Sequence, residues 1–317
     1  MPSKPITRPH APITVWLAAL RLRTLPLAGA AMLAAAMLAW QQQVFQAALF
    51  IASLSTAVLL QIFSNLANDY GDAAHGADRQ RRHGPVRAVA AGLIAPWHMR
   101  RALLGCALLC MASGLWLLAI SLPTLHGWAA QWWLWLLLGA LALLAAWAYT
   151  AGHRPYGYVG LGDAAVWLFF GLLAVLGGSV LYGAAITWPS VAAANALGLW
   201  CTAVLNINNM RDIPTDLAAG KHTIAARLGL RRAGRYHAVL LGLAAASWGV
   251  WLYHSLPPMA AILLAAALLL FYRHHDHALR NAPQRPHEYN RQLAQLSLFI
   301  LLWVGANALA MGSFQAA

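Results

Sequence analysis

Apolar residues fill this chain in runs of about 20, the length a helix needs to cross a bilayer, with short polar interruptions between them. The runs cover residues 25–40, 44–66, 102–122, 132–149, 164–185, 191–207, 237–254, 258–272 and 293–312. They lack the two-residue alternation of a barrel strand, and backbone polar groups in lipid must be satisfied within their own segment, so helices are predicted. The expected fold is an all-α polytopic membrane protein of about nine transmembrane helices, in a single domain covering 1–317. The polar, basic segment 1–24 precedes the first run. That run has the outline of a signal peptide, but a retained helix is expected, with an amphipathic lead-in from about Pro12.

Charge sorts the links. With the N-terminus inside, the turn 41–43, the links 123–131, 183–190 and 255–258, and the tail after Gly312 carry no Lys, Arg, Asp or Glu. Every such residue then falls on the other side, which the positive-inside rule makes cytoplasmic; the expected topology is N-in, C-out, in a bacterial inner membrane. Composition agrees: 61% of the 317 residues are hydrophobic and only 9% charged. A net charge of +13 would point to nucleic acid in a soluble protein. Here no soluble domain remains to bind one, and the basic loops face anionic lipid instead, so the bilayer is the expected partner. Cys106, Cys110 and Cys201 lie in apolar runs and read as packing residues rather than a disulfide framework or zinc site.

Two charged links stand out by length, at about 67–101 and 208–235. Each opens on an acidic stretch: NLANDYGDAAHGAD (65–78) after the second run, NINNMRDIPTD (206–216) after the sixth. Asn65, Asp69 and Asp72 at i, i+4 and i+7 share one helix face, Asn68 and Asp72 form a second i, i+4 pair, and Asn208, Asp212 and Asp216 repeat the step. Five of the eight acidic residues of the chain sit in these two stretches. Any one aspartate is readily a cap or turn residue. As a set they stand at helix C-termini, where the helix dipole repels carboxylates, and so call for a cation. Oxygen donors without His or Cys at ligand spacing point to Mg²⁺ or Ca²⁺. Mg²⁺ usually takes one or two carboxylates together with phosphate oxygens. Arg79, Arg81, Arg82 and Arg87 in one link, with Lys221 and Arg227 in the other, suit those phosphates. A lipid diphosphate is the natural ligand, its tail among the helices and its head at the membrane mouth. The rival reading is a transporter with duplicated acidic sites, although such sites usually lie at the bilayer midplane.

The stretches NDYGD with GAD, NNMRDIPTD and AGKHTIAARLG resemble the signature motifs of the UbiA-type intramembrane prenyltransferase superfamily. So do LRLRTLPLA, GPVRAVAAGLI, YTAGHRPYGYVGLGD and FFGLLAVLGG, and the resemblance is nearest to the branch that prenylates 1,4-dihydroxy-2-naphthoate in menaquinone biosynthesis. It implies that Asp69, Asp72 and Asp78 from one motif, with Asp212 and Asp216 from the other, hold Mg²⁺ on the diphosphate of a polyprenyl donor. It implies too that Asn65, Asn68 and Asn208 orient ligands or diphosphate oxygens, that Arg23, Arg87, Arg154 and Lys221 grip the diphosphate, and that Tyr149 stands beside the reacting carbon. For a naphthoate acceptor, attack at the carboxyl-bearing carbon with loss of CO₂ is implied; 4-hydroxybenzoate, homogentisate and haem remain alternative acceptors. Trp167 and Phe170 read either as packing rings or as further faces toward an allylic cation. Asp163 is expected as a helix N-cap, and the stretch RHHDHALR (273–280) as a charged loop.

Overall fold

The computed structural model describes residues 11–75, 87–285 and 287–315. All regular structure among its described residues is helical, and the chain is a multi-pass membrane protein. Helix α1 (Ile13–Leu20) ends where Arg21 turns left-handed (φ 51°), and α2 (Leu25–Gln41) starts with Pro26 in its first turn, where the missing N–H costs nothing. Then follow α3 (Ala47–Ala74), α4 (Pro96–Ser121), α5 (Trp132–Ala148) and α6 (Gly162–Val180). The chain closes with α7 (Trp188–Ala218), α8 (Ile224–Ser255), α9 (Pro258–Arg280) and α10 (His287–Gln315). Among the described residues eight helices are long and apolar enough to cross a membrane, α1 and α2 counting as one, and the run predicted at 132–149 is the shorter α5.

Why these helices pack as they do follows from side-chain size. The alanine-rich α2 and the long α7 are the buried members; Ala30, Ala34, Ala194 and Ala196 have no exposed surface, and Trp200, Trp248 and Trp251 fill the core beside them. Between helices in lipid, small residues permit the close backbone approach that drives association. Gly171 of α6 and Gly198 of α7 cross so closely that a Cβ on Gly171 would stand 2.8 Å from the Gly198 Cα. The stretch Trp167–Gly177 around that crossing is wound as a π-helix. Leucines of α4 and α9, such as Leu104, Leu108, Leu263 and Leu270, remain exposed, as lipid-facing positions should. Cys106, Cys110 and Cys201 are buried and free, as their apolar setting predicts.

The uncharged links meet at one end of the bundle. Gln41 donates to the Ser255 hydroxyl (3.0 Å), Gln42 to the Ala185 carbonyl (2.9 Å) and Thr124 to the Leu181 carbonyl (2.7 Å). At the other end the helices overrun the predicted loops. α3 continues through the first acidic stretch to Ala74 and α7 through the second to Ala218, so the loop expected at 208–235 shrinks to the link 219–223. Hydropathy marks where a helix leaves lipid, not where it stops; the acidic residues at i, i+4 spacing cost the helix little. Pro214 sits inside α7 and forfeits its backbone donor there.

Residues 273–280 are likewise the last turns of α9 and not a loop. The stretch is amphipathic: His275 is buried and its Nε2 meets the Nε2 of His237 on α8 at 3.2 Å, while Arg280 and Asp276 pair outside at 2.8 Å. Replacing His275 with leucine strands a buried imidazole, which typically costs about 1–3 kcal/mol. The variant should unfold at a lower temperature in detergent, whereas Asp276→Ala, on the exposed pair, should not.

Candidate active site

The acidic face of α3 begins at Asn65, whose amide donates to the Leu20 carbonyl (2.9 Å) and to the Thr24 hydroxyl (3.3 Å), clipping α3 to the elbow between α1 and α2. One turn on, each oxygen of Asp69 accepts a backbone N–H, Oδ2 from Ala88 and Oδ1 from Val89, both at 3.0 Å. That anchor folds residues 87–94 back over the helix end, where Ala91 N bonds to the Arg87 carbonyl and Ile94 N to the Ala88 carbonyl. Arg87 is thereby delivered to Asp72, with Nη2 at 2.5 Å from Oδ2. The other oxygen of Asp72 accepts from the Tyr158 hydroxyl at 3.0 Å. Asn68 accepts from the Thr150 hydroxyl at 3.2 Å, and Gly71 lets the two backbones touch there, since a Cβ would sit 2.6 Å from the Thr150 carbonyl.

The second motif is held by Arg211. Its Nε and Nη2 grasp Asp212 at 2.8 and 2.7 Å, Nη2 also reaches Asn208 Oδ1 at 2.7 Å, and Nη1 reaches Asn290 on α10 at 2.5 Å. Such a planar fork is what a buried carboxylate needs to remain charged. Arg23, beside the α1–α2 elbow, feels the charges of both Arg211 and Asp212.

The end of α7 explains how the motifs are joined. Gly220 adopts φ +69°, its N–H bonds to the Leu217 carbonyl, and the Lys221 N–H bonds to the Asp216 carbonyl at 2.8 Å. This is a Schellman closure, which requires a residue at ease in the left-handed region and folds the next one back over the last turn. The residue folded back is Lys221. Its Nζ lies 3.9 Å from Asp216 Oδ1 and 3.9 Å from Asp72 Oδ1, and 5.3 Å from the centre of the Tyr158 ring. One ammonium thus spans both acidic faces. The link is tied further by His222 N to the Tyr158 carbonyl (2.8 Å), and Thr223 caps α8 through Ala226 N (3.2 Å).

Asp69, Asp72, Asp212, Asp216, Arg87 and Lys221 are all buried, and the contacts above gather Asp72, Asp216, Arg87 and Lys221 into one cluster. Tyr149 is close by: its ring lies against Gly157 and Gly162, where a Cβ would approach it to 3.0 Å. Burial and the neighbouring Asp163, Asp72 and Asp216 charges push its phenol upward, so it stays protonated and neutral. Arg154 is exposed in the α5–α6 link, with no hydrogen bond or ion pair to a described carboxylate. Asp78, Arg79, Arg81 and Arg82 lie outside the described residues. Asp163 is not the N-cap of α6; it falls in the first turn and accepts from the Tyr236 hydroxyl of α8 at 3.0 Å. Trp167 packs on Gly198 and donates to Asn195 at 2.8 Å, a packing role.

Three contributors escaped the sequence reading. Arg211 stands next to Asp212 in NNMRD, and a rule that collects carboxylates passes over it. Tyr158 lies in the YGYV stretch, where only its contact with Asp72 distinguishes it from a packing ring. The Ala88 and Val89 amides carry no side-chain signal at all.

Among the described residues no three His, Cys, Asp or Glu side chains converge as a protein-only metal cage. The donors are instead carboxylates from two helices facing each other across a cationic side chain. That set fits a Mg²⁺ which takes one or two carboxylates and completes its shell with phosphate oxygens and water.

The family model described as "UbiA prenyltransferase family" matches residues 28–301. A 1,4-dihydroxy-2-naphthoate octaprenyltransferase of Escherichia coli K12 is 46% identical over 226 residues, 71% of this chain and 72% of that protein. The protein of the same description from Haemophilus influenzae is 36% identical over 307 residues, 92% of this chain and 93% of its own. Among solved structures, an apo UbiA homologue from Aeropyrum pernix K1 superposes with a TM-score of 0.61 at 20% identity, covering 89% of this chain and 95% of that one. A UbiA homologue from Archaeoglobus fulgidus bound to DMAPP and Mg²⁺ gives 0.59 at 15% identity, covering 92% and 99%. With the family model spanning most of its length and both acidic motifs on facing helices, the chain belongs to the UbiA prenyltransferase family.

Proposed function

We propose that this enzyme transfers a polyprenyl group from a polyprenyl diphosphate to 1,4-dihydroxy-2-naphthoate, with loss of CO₂ and diphosphate, giving demethylmenaquinol for menaquinone biosynthesis. The single observation that carries the site is the Lys221 ammonium between Asp72 and Asp216, which joins the two motifs in one basic and acidic cluster. The acceptor rests on the relatives described as 1,4-dihydroxy-2-naphthoate octaprenyltransferases. The cluster faces the cytoplasm of the inner membrane, where the charged ends of the helices collect.

Bound Mg²⁺, for which Asp72 and Asp216 are the best-placed ligands and Asp69 and Asp212 the supporting carboxylates, supplies positive charge against the departing diphosphate. Asp78 is assigned to the same set from its motif. Arg23, Arg87 and Lys221 bind diphosphate oxygens, and Arg154 meets them from its exposed link. Asn65, Asn68 and Asn208 act through the contacts that hold each acidic face in place. As the allylic C–O bond breaks, its electron pair leaves with the diphosphate, whose growing charge these cations stabilise. The Tyr149 ring, neutral and set among carboxylates, stands where it steadies the allylic cation and excludes water. The naphthoate ring carbon that bears the carboxylate attacks, and the C–CO₂ electron pair restores aromaticity as CO₂ departs.

Purified enzyme given Mg²⁺, a polyprenyl diphosphate and a panel of aromatic acids should prenylate the naphthoate and release equimolar CO₂. Turnover of 4-hydroxybenzoate alone would overturn the acceptor assignment. Chelation with EDTA should stop the reaction, and added Mg²⁺ restore it.

A further inference from the structure

Every described carboxylate of the two motifs already has a partner within the chain. Asp69 accepts two backbone amides, Asp72 meets Arg87, Tyr158 and Lys221, Asp212 is grasped by Arg211, and Asp216 meets Lys221. Lys221 differs from the others in its geometry. Among the described carboxylates, Arg87 closes on Asp72 at 2.5 Å and Arg211 on Asp212 at 2.7 Å, whereas the Lys221 ammonium hangs between two at 3.9 Å. That is too long for a good charge-assisted hydrogen bond, though close enough for strong attraction in a buried site. Its position is imposed by the Schellman turn at Gly220, which points the side chain back over the helix end whether or not it makes short contacts.

We infer that Lys221 is a resident counter-cation that makes metal binding conditional on diphosphate. The inference rests on the magnesium–diphosphate reading of this site. A bare divalent ion seeking Asp72 and Asp216 must first expel a buried ammonium and leave it unpaired, which is costly. A metal that arrives with diphosphate brings the ammonium a new anion, so Lys221 exchanges two carboxylates for phosphate oxygens without being stranded. The Tyr158 ring face, 5.3 Å from Nζ, supports the cation through the exchange. The residue thus selects the metal–diphosphate pair over free metal. It also holds the two like-charged helix ends together between turnovers.

The test is binding to the purified full chain, read by calorimetry and thermal unfolding, with Mg²⁺ alone and with Mg²⁺ plus a non-reactive prenyl thiolodiphosphate. Wild type should respond weakly to Mg²⁺ alone and strongly to the pair. Lys221→Gln should bind Mg²⁺ alone about tenfold more tightly than wild type, and the pair more weakly. Lys221→Arg keeps the charge and should behave like wild type toward Mg²⁺ alone, which separates charge from folding defects. If Lys221→Gln is folded and binds Mg²⁺ no more tightly than wild type, while wild type still binds the pair, the counter-cation role is wrong and the site survives. If wild type does not bind the pair, or binds it as well after Asp72→Asn, the magnesium–diphosphate reading itself falls.

Discussion

Asp72→Asn is expected to lower kcat for prenyl transfer by about 10³-fold, the scale on which a group that stabilises developing charge acts. The asparagine keeps the size of the side chain: its one amide oxygen can still accept from Arg87, which holds Asp72 Oδ2 at 2.5 Å, while its NH₂ can donate to the Tyr158 hydroxyl, which now meets Oδ1 at 3.0 Å. What it removes is the charge. Alanine is the cruder probe, because it leaves the buried Arg87 and Lys221 without their shared anion; truncating one partner of a buried pair typically costs about 3–5 kcal/mol. The two substitutions should therefore separate. Both should be inactive, but only Asp72→Ala should also unfold well below wild type. Asp212→Ala should behave like Asp72→Ala, since it strands Arg211. Wild-type turnover by folded Asp72→Asn would remove this residue from the catalytic set.

The largest loss of stability is expected from Gly198→Val. A Cβ at Gly198 would lie 2.7 Å from the Trp167 carbonyl oxygen, 2.8 Å from the Trp167 ring and 3.2 Å from the Gly171 Cα, so the nearest neighbour is a backbone atom that cannot turn aside. Overpacking a well-filled core costs about 1–3 kcal/mol where side chains can move, so a clash with backbone should exceed about 3 kcal/mol. The damage should reach the site as well. α6 carries Asp163, and Thr202 on α7, one turn past Gly198, donates to the Asp163 carbonyl at 3.3 Å. Low yield of monodisperse protein together with a large fall in unfolding temperature is the expected outcome. A variant that unfolds at the wild-type temperature would show that the two helices do not pack by this crossing. Gly242, with nothing near its absent Cβ, is the matched control position.

Much of this architecture was legible in the sequence because lipid imposes a simple rule on runs such as 44–66 and 293–312: they must be apolar and helical. The acidic motifs were legible because carboxylates are scarce here, so two clusters of them stand out. The helix ends were harder to place. α3 and α7 continue past the ends of their apolar runs, and nothing in hydropathy says whether Asp72 or Asp216 belongs to a helix or a loop. Gly220 and Lys221 form a readable pair in hindsight, since Gly followed by a returning residue marks a helix stop. What could not be read was long-range pairing. That Tyr158 serves Asp72, that Arg211 reaches Asn290 and that Asp163 answers to Tyr236 are facts of three-dimensional proximity between residues far apart in the chain.

The overrun of α3 and α7 also says something about where oily reactants meet charged ones. At 1.5 Å per residue these helices of 28 and 31 residues are about 42 and 46 Å long, against a hydrocarbon slab of about 30 Å. On the topology proposed from the charge pattern, with the excess length at the charged end, their final turns and the acids on them would stand at the height of the phospholipid headgroups. A greasy donor anchored in the leaflet presents its polar tip there without leaving its solvent, and the enlarged quinol can sink back the way the donor came. Only the water-loving leftover, diphosphate, needs to depart toward the aqueous side, since CO₂ is apolar enough to leave through either phase, so release of products amounts to partitioning between the two.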